Sequence, residues 1–232
     1  MPRKSKRKAS APAVKSSERA VKLSDVDSVR PGKALSKKVE QIDCLYDLYA
    51  NQSLGLIDPA GIEALCSDVG VDHTDVRILM LAWKMKAEKQ GYFSKDEWRT
   101  GLKALNADSL NKLKKALPVL EREVMKPPNF EDFYAYAFRY CLTEEKQRFV
   151  DVETFCELLN LVLGSQFCAQ VDLITEYLKL QIDYQMLSMD QWVNFYRFCR
   201  DISFPDLQNY DPCESWAVIV DNFVEWLKEK KS

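Results

Sequence analysis

The chain has 232 residues, of which 47% are hydrophobic and 11% aromatic, enough for one large domain or two small ones. Its formal net charge is only −2, but residues 1–38 hold 12 lysines and arginines against 3 acidic residues, so the remainder is acidic. No apolar run approaches the roughly 18 residues of a membrane span, and the seven cysteines show no CxxC spacing. These features argue against a membrane protein and predict an acidic body with basic partners.

Residues 1–35 are predicted to form a disordered tail, because they are basic, rich in Ser and Ala, and free of aromatic residues. Five basic side chains near its start form a candidate nuclear localisation signal: Arg3, Lys4, Lys6, Arg7 and Lys8. We therefore expect a nuclear protein with some in the cytoplasm. The alternatives are a plain solvated tail and a tail that gives the protein nucleic-acid affinity.

The body from residue 36 onward shows helical periodicity interrupted by capping residues, and no segment alternates with period two for long. We expect an all-α body in which strands are absent or very short. Pro118 should perturb the fifth helix. The predicted helices start, in chain order, at Ser36, Asp58, Asp72, Ser94, Asp108 or Ser109, Pro127, Asp151, Phe167, Ser188 and about Cys213.

One short phrase recurs four times: an apolar residue, then an Asp or Ser, then an amphipathic helix. Its instances begin at Ile57-Asp58, Phe93-Ser94, Val150-Asp151 and Leu187-Ser188. After a helix, this phrase is typical of an EF-hand. The best loop, residues 86–97, has Gly91 sixth and Glu97 twelfth, but Lys86 stands where calcium needs an oxygen ligand. We predict two EF-hand-like halves, residues 36–126 and 127–230, with the calcium ligands lost; a calcium sensor is the alternative.

Catalytic chemistry has little support in the sequence. The single histidine, His73, lies at the start of a helix, where a surface role is the simpler interpretation. No Ser/His/Asp or Cys/His/Asn set, glycine-rich phosphate loop or His/Cys metal cluster can be assembled. We therefore predict a protein that binds other proteins, without catalytic residues, cofactor or metal.

The C-terminal block, residues 209–226, contains Asn-Tyr-Asp, then Ser-Trp-Ala, then Asp221 and Phe-Val-Glu. With the motifs at residues 81–84, 93–97, 132–134 and 190–192, it resembles the defective-in-cullin-neddylation (DCN-like) family and its potentiating-neddylation (PONY) domain, over about residues 38–228. The basic tail resembles the nuclear subset of that family, which lacks an N-terminal ubiquitin-binding domain.

The resemblance implies a monomeric, non-catalytic co-ligase that works beside the RING-box subunit. Such a protein binds the C-terminal winged-helix region of a cullin and the N-acetylated neddylation conjugating enzyme, and accelerates transfer by proximity. It implies no membrane and no specific nucleic acid as partner. An EF-hand-derived adaptor unrelated to neddylation is the alternative.

Two surfaces carry over from the family. The cullin-binding residues are Asp190, Ser215 and Asp221, the last two expected on the final helix; Ser215 and Ala217 stand where the family has Ala and Pro. The second surface is a pocket for the acetylated N-terminal Met of the conjugating enzyme, which enters because acetylation removes the amine charge. The matching pocket residues are Ile62, Thr74, Ile78, Ala82, Met85, Gln90, Gly91, Phe93 and Leu178.

Overall fold

The computed structural model describes residues 31–231, so the predicted localisation signal at residues 3–8 lies outside the described residues. Within that range the chain is helical with four very short strands, which confirms the predicted all-α class. In chain order the elements are α1 (Pro31–Tyr49), β1 (Ala50–Asn51), β2 (Leu56–Ile57), α2 (Pro59–Val69), α3 (Val76–Met85), α4 (Lys95–Ala104), α5 (Leu110–Val124), α6 (Pro127–Tyr140), β3 (Phe149–Asp151), α7 (Val152–Leu163), α8 (Cys168–Leu180), β4 (Met186–Ser188), α9 (Met189–Asp201) and α10 (Val218–Lys231).

Side-chain caps fix the start of the helix in each repeat. The carboxylates of Asp58 and Asp151 accept hydrogen bonds from the backbone N–H three residues later, at 3.0 and 2.8 Å. These bonds lower the pKa of both carboxyls. Ser94 and Ser188 instead form capping boxes with the Glu or Gln three residues later. All four predicted caps of the repeat are therefore confirmed.

Two helix starts in the first half differ from the prediction. Helix α1 begins at Pro31, and the expected cap Ser36 lies inside it. Helix α3 is capped by Asp75 and not by the expected residue, Asp72. The carboxylate of Asp72 instead accepts a hydrogen bond from the backbone N–H of Thr74, at 2.8 Å. Asp72 therefore closes a turn in front of the helix and does not start the helix itself.

The apolar residue of the repeated phrase joins the helix–loop–helix units in pairs. Ile57 and Phe93 exchange two backbone hydrogen bonds of 2.9 Å, and Val150 pairs with Leu187 in the antiparallel ladder of β3 and β4. All four side chains are at most 2% exposed. The recurring apolar residue is therefore a core residue that ties one loop to the next.

A fully buried tryptophan anchors each half. Trp98 on α4 donates its indole N–H to the carbonyl of Ile42 on α1, at 3.1 Å. Trp192 on α9 stacks on Tyr134 of α6, with ring centroids 4.2 Å apart. Each of these two side chains also donates to the other residue's carbonyl, at 2.8 and 2.9 Å. The near-identical phrases around Ser94 and Ser188 thus deliver the same core anchor to the two halves.

The halves meet along α3 and α6. Trp83 donates to the carboxylate of Asp132 at 2.8 Å, and the hydroxyl of Tyr136 donates to the carbonyl of Ala87 at 2.8 Å. Pro118 lies inside α5 without ending that helix, which leads into α6.

None of the helices in residues 31–231 combines the length and the apolar character needed to cross a bilayer.

Candidate functional site: a cavity between the halves and an acidic surface

A small cavity of about 190 Å³ opens between α2, α3 and the loop before α4. Its volume is below the few hundred Å³ of typical small-molecule pockets, so it suits a single side chain. Six of the nine predicted pocket residues line it: Ile62, Thr74, Ile78, Ala82, Gly91 and Phe93.

The local structure explains how these side chains come together. Ile78 and Ala82 are four residues apart on α3 and therefore share one face of that helix. Ile62 contributes from α2, and Phe93 is held in the loop by its backbone pairing. Gly91 has a φ of +76°, a left-handed conformation that disfavours any residue with a Cβ. The loop therefore turns at Gly91 and leaves the cavity open.

The second half contributes two residues that sequence reasoning missed, Tyr140 of α6 and Leu161 of α7. The Tyr140 hydroxyl accepts a hydrogen bond from the N–H of Gly91 at 3.3 Å, and burial raises the pKa of Tyr140 to about 12. The hydroxyl is therefore neutral at ordinary pH. Both residues belong to apolar stripes, which the sequence alone assigns to the core. The sequence pattern does not indicate that these two residues face the first half.

Three predicted pocket residues lie outside this cavity. Met85 is 1% exposed and packs so tightly on α4 that a Cβ at Gly101 would come within 2.2 Å of its Cγ. Gln90 lines a neighbouring cleft of about 680 Å³, which shares Thr74 and Leu161 with the cavity.

Leu178 also belongs elsewhere. It lies on α8, which packs against α7 and α10, and it lines a separate depression there with Tyr184. The structure does not bring it to the cavity, where the leucines are Leu79 and Leu161.

The rim of the cavity carries one carboxylate, and that group is already paired. Asp75 accepts a hydrogen bond from the guanidinium of Arg77 at 2.9 Å, and this contact lowers the pKa of Asp75. The exposed His73 lies at the same rim, which agrees with the surface position expected for it.

The loop that resembles a calcium site is closed by protein groups. The Glu97 carboxylate accepts from the backbone N–H of Glu88 at 2.9 Å and from the N–H and hydroxyl of Ser94 at 2.6 and 2.7 Å. Lys86 occupies the first loop position with a φ of 58°. Across residues 31–231 there is no cluster of three or more His, Cys, Asp or Glu side chains that could hold a metal ion.

The predicted cullin-binding residues lie where α9 meets the start of α10. Asp190 is exposed in the first turn of α9, and Asp221 is half-buried in the first turn of α10. Ser215 was expected on the final helix, but that helix begins only at Val218. The reason is that the Asp211 carboxylate accepts the N–H of Cys213 at 2.8 Å and holds this segment in a turn.

Two side chains of α9 bring these elements together. Asn194 donates to the carbonyl of Asp190 at 2.9 Å and accepts the N–H of Ala217 at 3.3 Å. Arg197 donates to the carbonyl of Ser215 at 3.0 Å and stacks over the ring of Trp216 at 4.0 Å. The three predicted residues, Asp190, Ser215 and Asp221, therefore lie around one surface, which is called the acidic surface below.

Asp221 is held in place by the aromatic residue of the Asn-Tyr-Asp motif. The hydroxyl of Tyr210 donates to its Oδ1, and Tyr210 also stacks on Trp216, with ring centroids 5.5 Å apart. Burial and the neighbouring carboxylate together raise the pKa of Tyr210. Asp221 is therefore half-buried, and the direction of its side chain is fixed by the protein.

Comparison with known proteins identifies the class. A family model described as cullin binding matches residues 112–226, which include all of the acidic surface. Human DCN1-like protein 5 is 34% identical over 177 residues, covering 76% of this chain and 73% of the relative. Human DCN1-like protein 4 is 37% identical over 176 residues, and the Drosophila melanogaster protein of that name 36%. Each of these two matches covers 76% of this chain, with 59% of the human relative and 69% of the fly relative.

The chain thus contains a cullin-binding domain. It belongs to the DCN1-like family, and its match spans less than two thirds of human DCN1-like protein 4. Family and domain together support a cullin as partner and a role in cullin neddylation.

Proposed function

We propose that the protein is a non-catalytic co-ligase for cullin neddylation. It binds a cullin and the N-acetylated conjugating enzyme at the same time, beside the RING-box subunit, and orients the pair for transfer of the modifier. The observation that supports this proposal is that one fold carries both an acidic surface at Asp190 and Asp221 and a largely apolar cavity at Ala82. Fixing two reactants together makes their reaction effectively unimolecular, which is a large part of many catalytic effects.

The acidic surface supports the cullin half of the proposal. Two carboxylates in the first turns of neighbouring helices would attract a basic patch of the cullin winged-helix region and set its register. Because Tyr210 fixes Asp221 and Asn194 ties α9 to the segment before α10, little order has to be gained on binding.

The cavity supports the part of the proposal that concerns the conjugating enzyme. Its walls are mainly apolar, its size fits one side chain, and its rim carboxylate, Asp75, is already neutralised by Arg77. A free terminal ammonium would therefore be desolvated there without a partner, which is costly. An acetylated methionine carries no such charge and can bury its side chain there.

The main experiment is single-turnover transfer of the modifier from the charged conjugating enzyme to a cullin–RING-box complex. We expect the protein to accelerate transfer and Asp190→Lys to weaken cullin affinity by about tenfold or more. The matched control is Glu229→Lys, the same charge change on an exposed residue near the end of α10. Absence of acceleration by a folded protein, or equal losses from both variants, would refute the proposal.

A second measurement tests the cavity. Peptides with the conjugating enzyme's N-terminal sequence, acetylated or free, are titrated into the protein. We expect the acetylated form to bind more tightly, and Ile62→Lys at the cavity wall to abolish the difference. Leu48→Lys, at a 74% exposed position of α1, is the control and should have no effect. Equal affinity of the two peptides for the unmodified protein would remove the cavity from the mechanism.

A further inference from the structure

Two exposed valines lie beside the acidic surface without a structural role. Val193 of α9 is 44% exposed, and Val218, the first residue of α10, is 69% exposed. Valine is a weaker helix former than alanine or the long polar residues, so helix stability does not favour it at an exposed position. Single exposed valines such as Val119 are common, but two of them beside the same pair of carboxylates form a candidate contact surface.

Each valine lies one helical turn from one of the two carboxylates. Val193 follows Asp190 by three residues on α9, and Val218 precedes Asp221 by three residues on α10, so each valine neighbours one carboxylate on its own helix. The residues next to the valines, Asn194 and Ala217, are hydrogen-bonded to each other at 3.3 Å. Each helix thus carries a carboxylate and an exposed valine one turn apart, close to the place where α9 is hydrogen-bonded to the segment before α10.

The apolar surface continues to one side. Met186 of β4, just before α9, is 50% exposed, and Ile182 in the preceding loop is 85% exposed. That loop reaches α10, because the hydroxyl of Tyr184 accepts a hydrogen bond from Asn222 at 2.9 Å. Two further exposed apolar side chains thus lie on the segment that leads into α9, and with the two valines they are called the apolar strip.

We propose that Val193 and Val218 form the apolar centre of the cullin-binding surface, and that the cullin segment covering them carries apolar side chains between basic ones. The inference rests on the proposed function and names what the surface recognises. Specific interfaces commonly combine a desolvated apolar centre with a charged rim, and the centre supplies most of the affinity. A second copy of this chain fits poorly, since it would bring carboxylates against carboxylates.

The test uses valine-to-threonine substitutions, which keep the side chain's shape and β-branching while adding a hydroxyl. Val193→Thr and Val218→Thr are compared with the unmodified protein by calorimetric titration of a purified cullin winged-helix region. Val119→Thr on α5, where the valine is 54% exposed, is the matched control. Titrations at about 0.05 M and about 0.5 M salt separate screened charge effects from apolar ones.

Each threonine at the surface should weaken binding by about fivefold, because a hydroxyl is then buried without a partner, and the loss should be similar at both salt concentrations. Val119→Thr should change nothing. Asp190→Lys should weaken binding most strongly at low salt.

Three results would overturn the inference. If both threonine variants bind normally while Asp190→Lys is weakened, the apolar centre is refuted and the co-ligase proposal stands. If Asp190→Lys also binds normally, the cullin surface itself is misassigned, and both proposals about it fail. If the unmodified protein self-associates and Val218→Thr abolishes this, the strip belongs to a second copy.

Discussion

Replacing Glu97 tests whether the loop of residues 86–97 is held by its own hydrogen bonds or by a cation. The fourth repeat already carries glutamine at the equivalent position, where the Gln191 side-chain oxygen accepts from the N–H and hydroxyl of Ser188 at 2.8 and 3.1 Å. Glu97→Gln can therefore keep the capping box with Ser94. What it loses is the second carboxylate oxygen, which accepts the N–H of Glu88.

The expected loss of stability follows from the number of hydrogen bonds that each variant removes. Loss of one hydrogen bond to an exposed backbone N–H should destabilise the fold by about 1 kcal/mol in Glu97→Gln. Glu97→Ala removes the capping box as well and should cost about 2–3 kcal/mol. For a chain of this size, the unfolding temperature should fall by about 3 °C in the first variant and by about 5–10 °C in the second.

The assay is thermal and denaturant unfolding, with and without calcium. The control is Glu63→Gln on α2, an exposed position that should leave stability unchanged. If Glu97→Ala is as stable as the unmodified protein, the loop does not depend on this carboxylate. If calcium raises the unfolding temperature of the unmodified protein, the account of the lost ligands is wrong and the calcium-sensor alternative returns.

Three further predictions concern stability, pH and location. Gly61→Ala should destabilise the fold by about 3 kcal/mol or more, because the added Cβ would lie 2.2 Å from the carbonyl oxygen of Tyr49. Equilibrium denaturation measures this loss, and near-normal stability would contradict the close approach of α2 to Tyr49. The pKa of Tyr140 is raised from 10.0 to about 12, so the stability gained by keeping this phenol neutral is present below pH 10 and is lost as pH rises toward 12. Unfolding curves across this range should show a shallower decline for Tyr140→Phe, and an unchanged decline would contradict the assignment. Deleting residues 2–30 should move the protein out of the nucleus and leave single-turnover transfer intact; microscopy and the transfer assay check the two halves of that expectation, and an inactive truncation would show that the tail does more than target the protein.

Much of the fold was predictable because its signals are local. Caps such as Ser94 and Asp151 act on backbone groups three residues away, so they are visible in the sequence. The same is true of the apolar residue before each cap. The predicted cap at Asp72 was wrong for a reason that is also local. An Asp can close a turn as readily as it caps a helix, and the helix is capped by the nearby Asp75.

The cavity was only partly predictable, since two of its lining residues come from a distant part of the chain. Ile78 and Ala82 could be placed together from their helical spacing. Tyr140 and Leu161 reach the cavity through the packing of α6 and α7 on the first half, which no short-range pattern encodes. Leu178 was matched by sequence alone, and the structure places it on α8, which lines a different depression.

A cavity whose walls come from both halves couples ligand binding to the cohesion of the whole molecule. Ile62 and Ile78 belong to the first half, whereas Tyr140 and Leu161 belong to the second. Any opening along the seam between α3 and α6 would dismantle the cavity, so a bound side chain must favour the closed, fully docked state by mass action. An occupied cavity therefore makes the two halves unfold more nearly as one cooperative unit, and amide exchange at the seam should slow as ligand concentration rises.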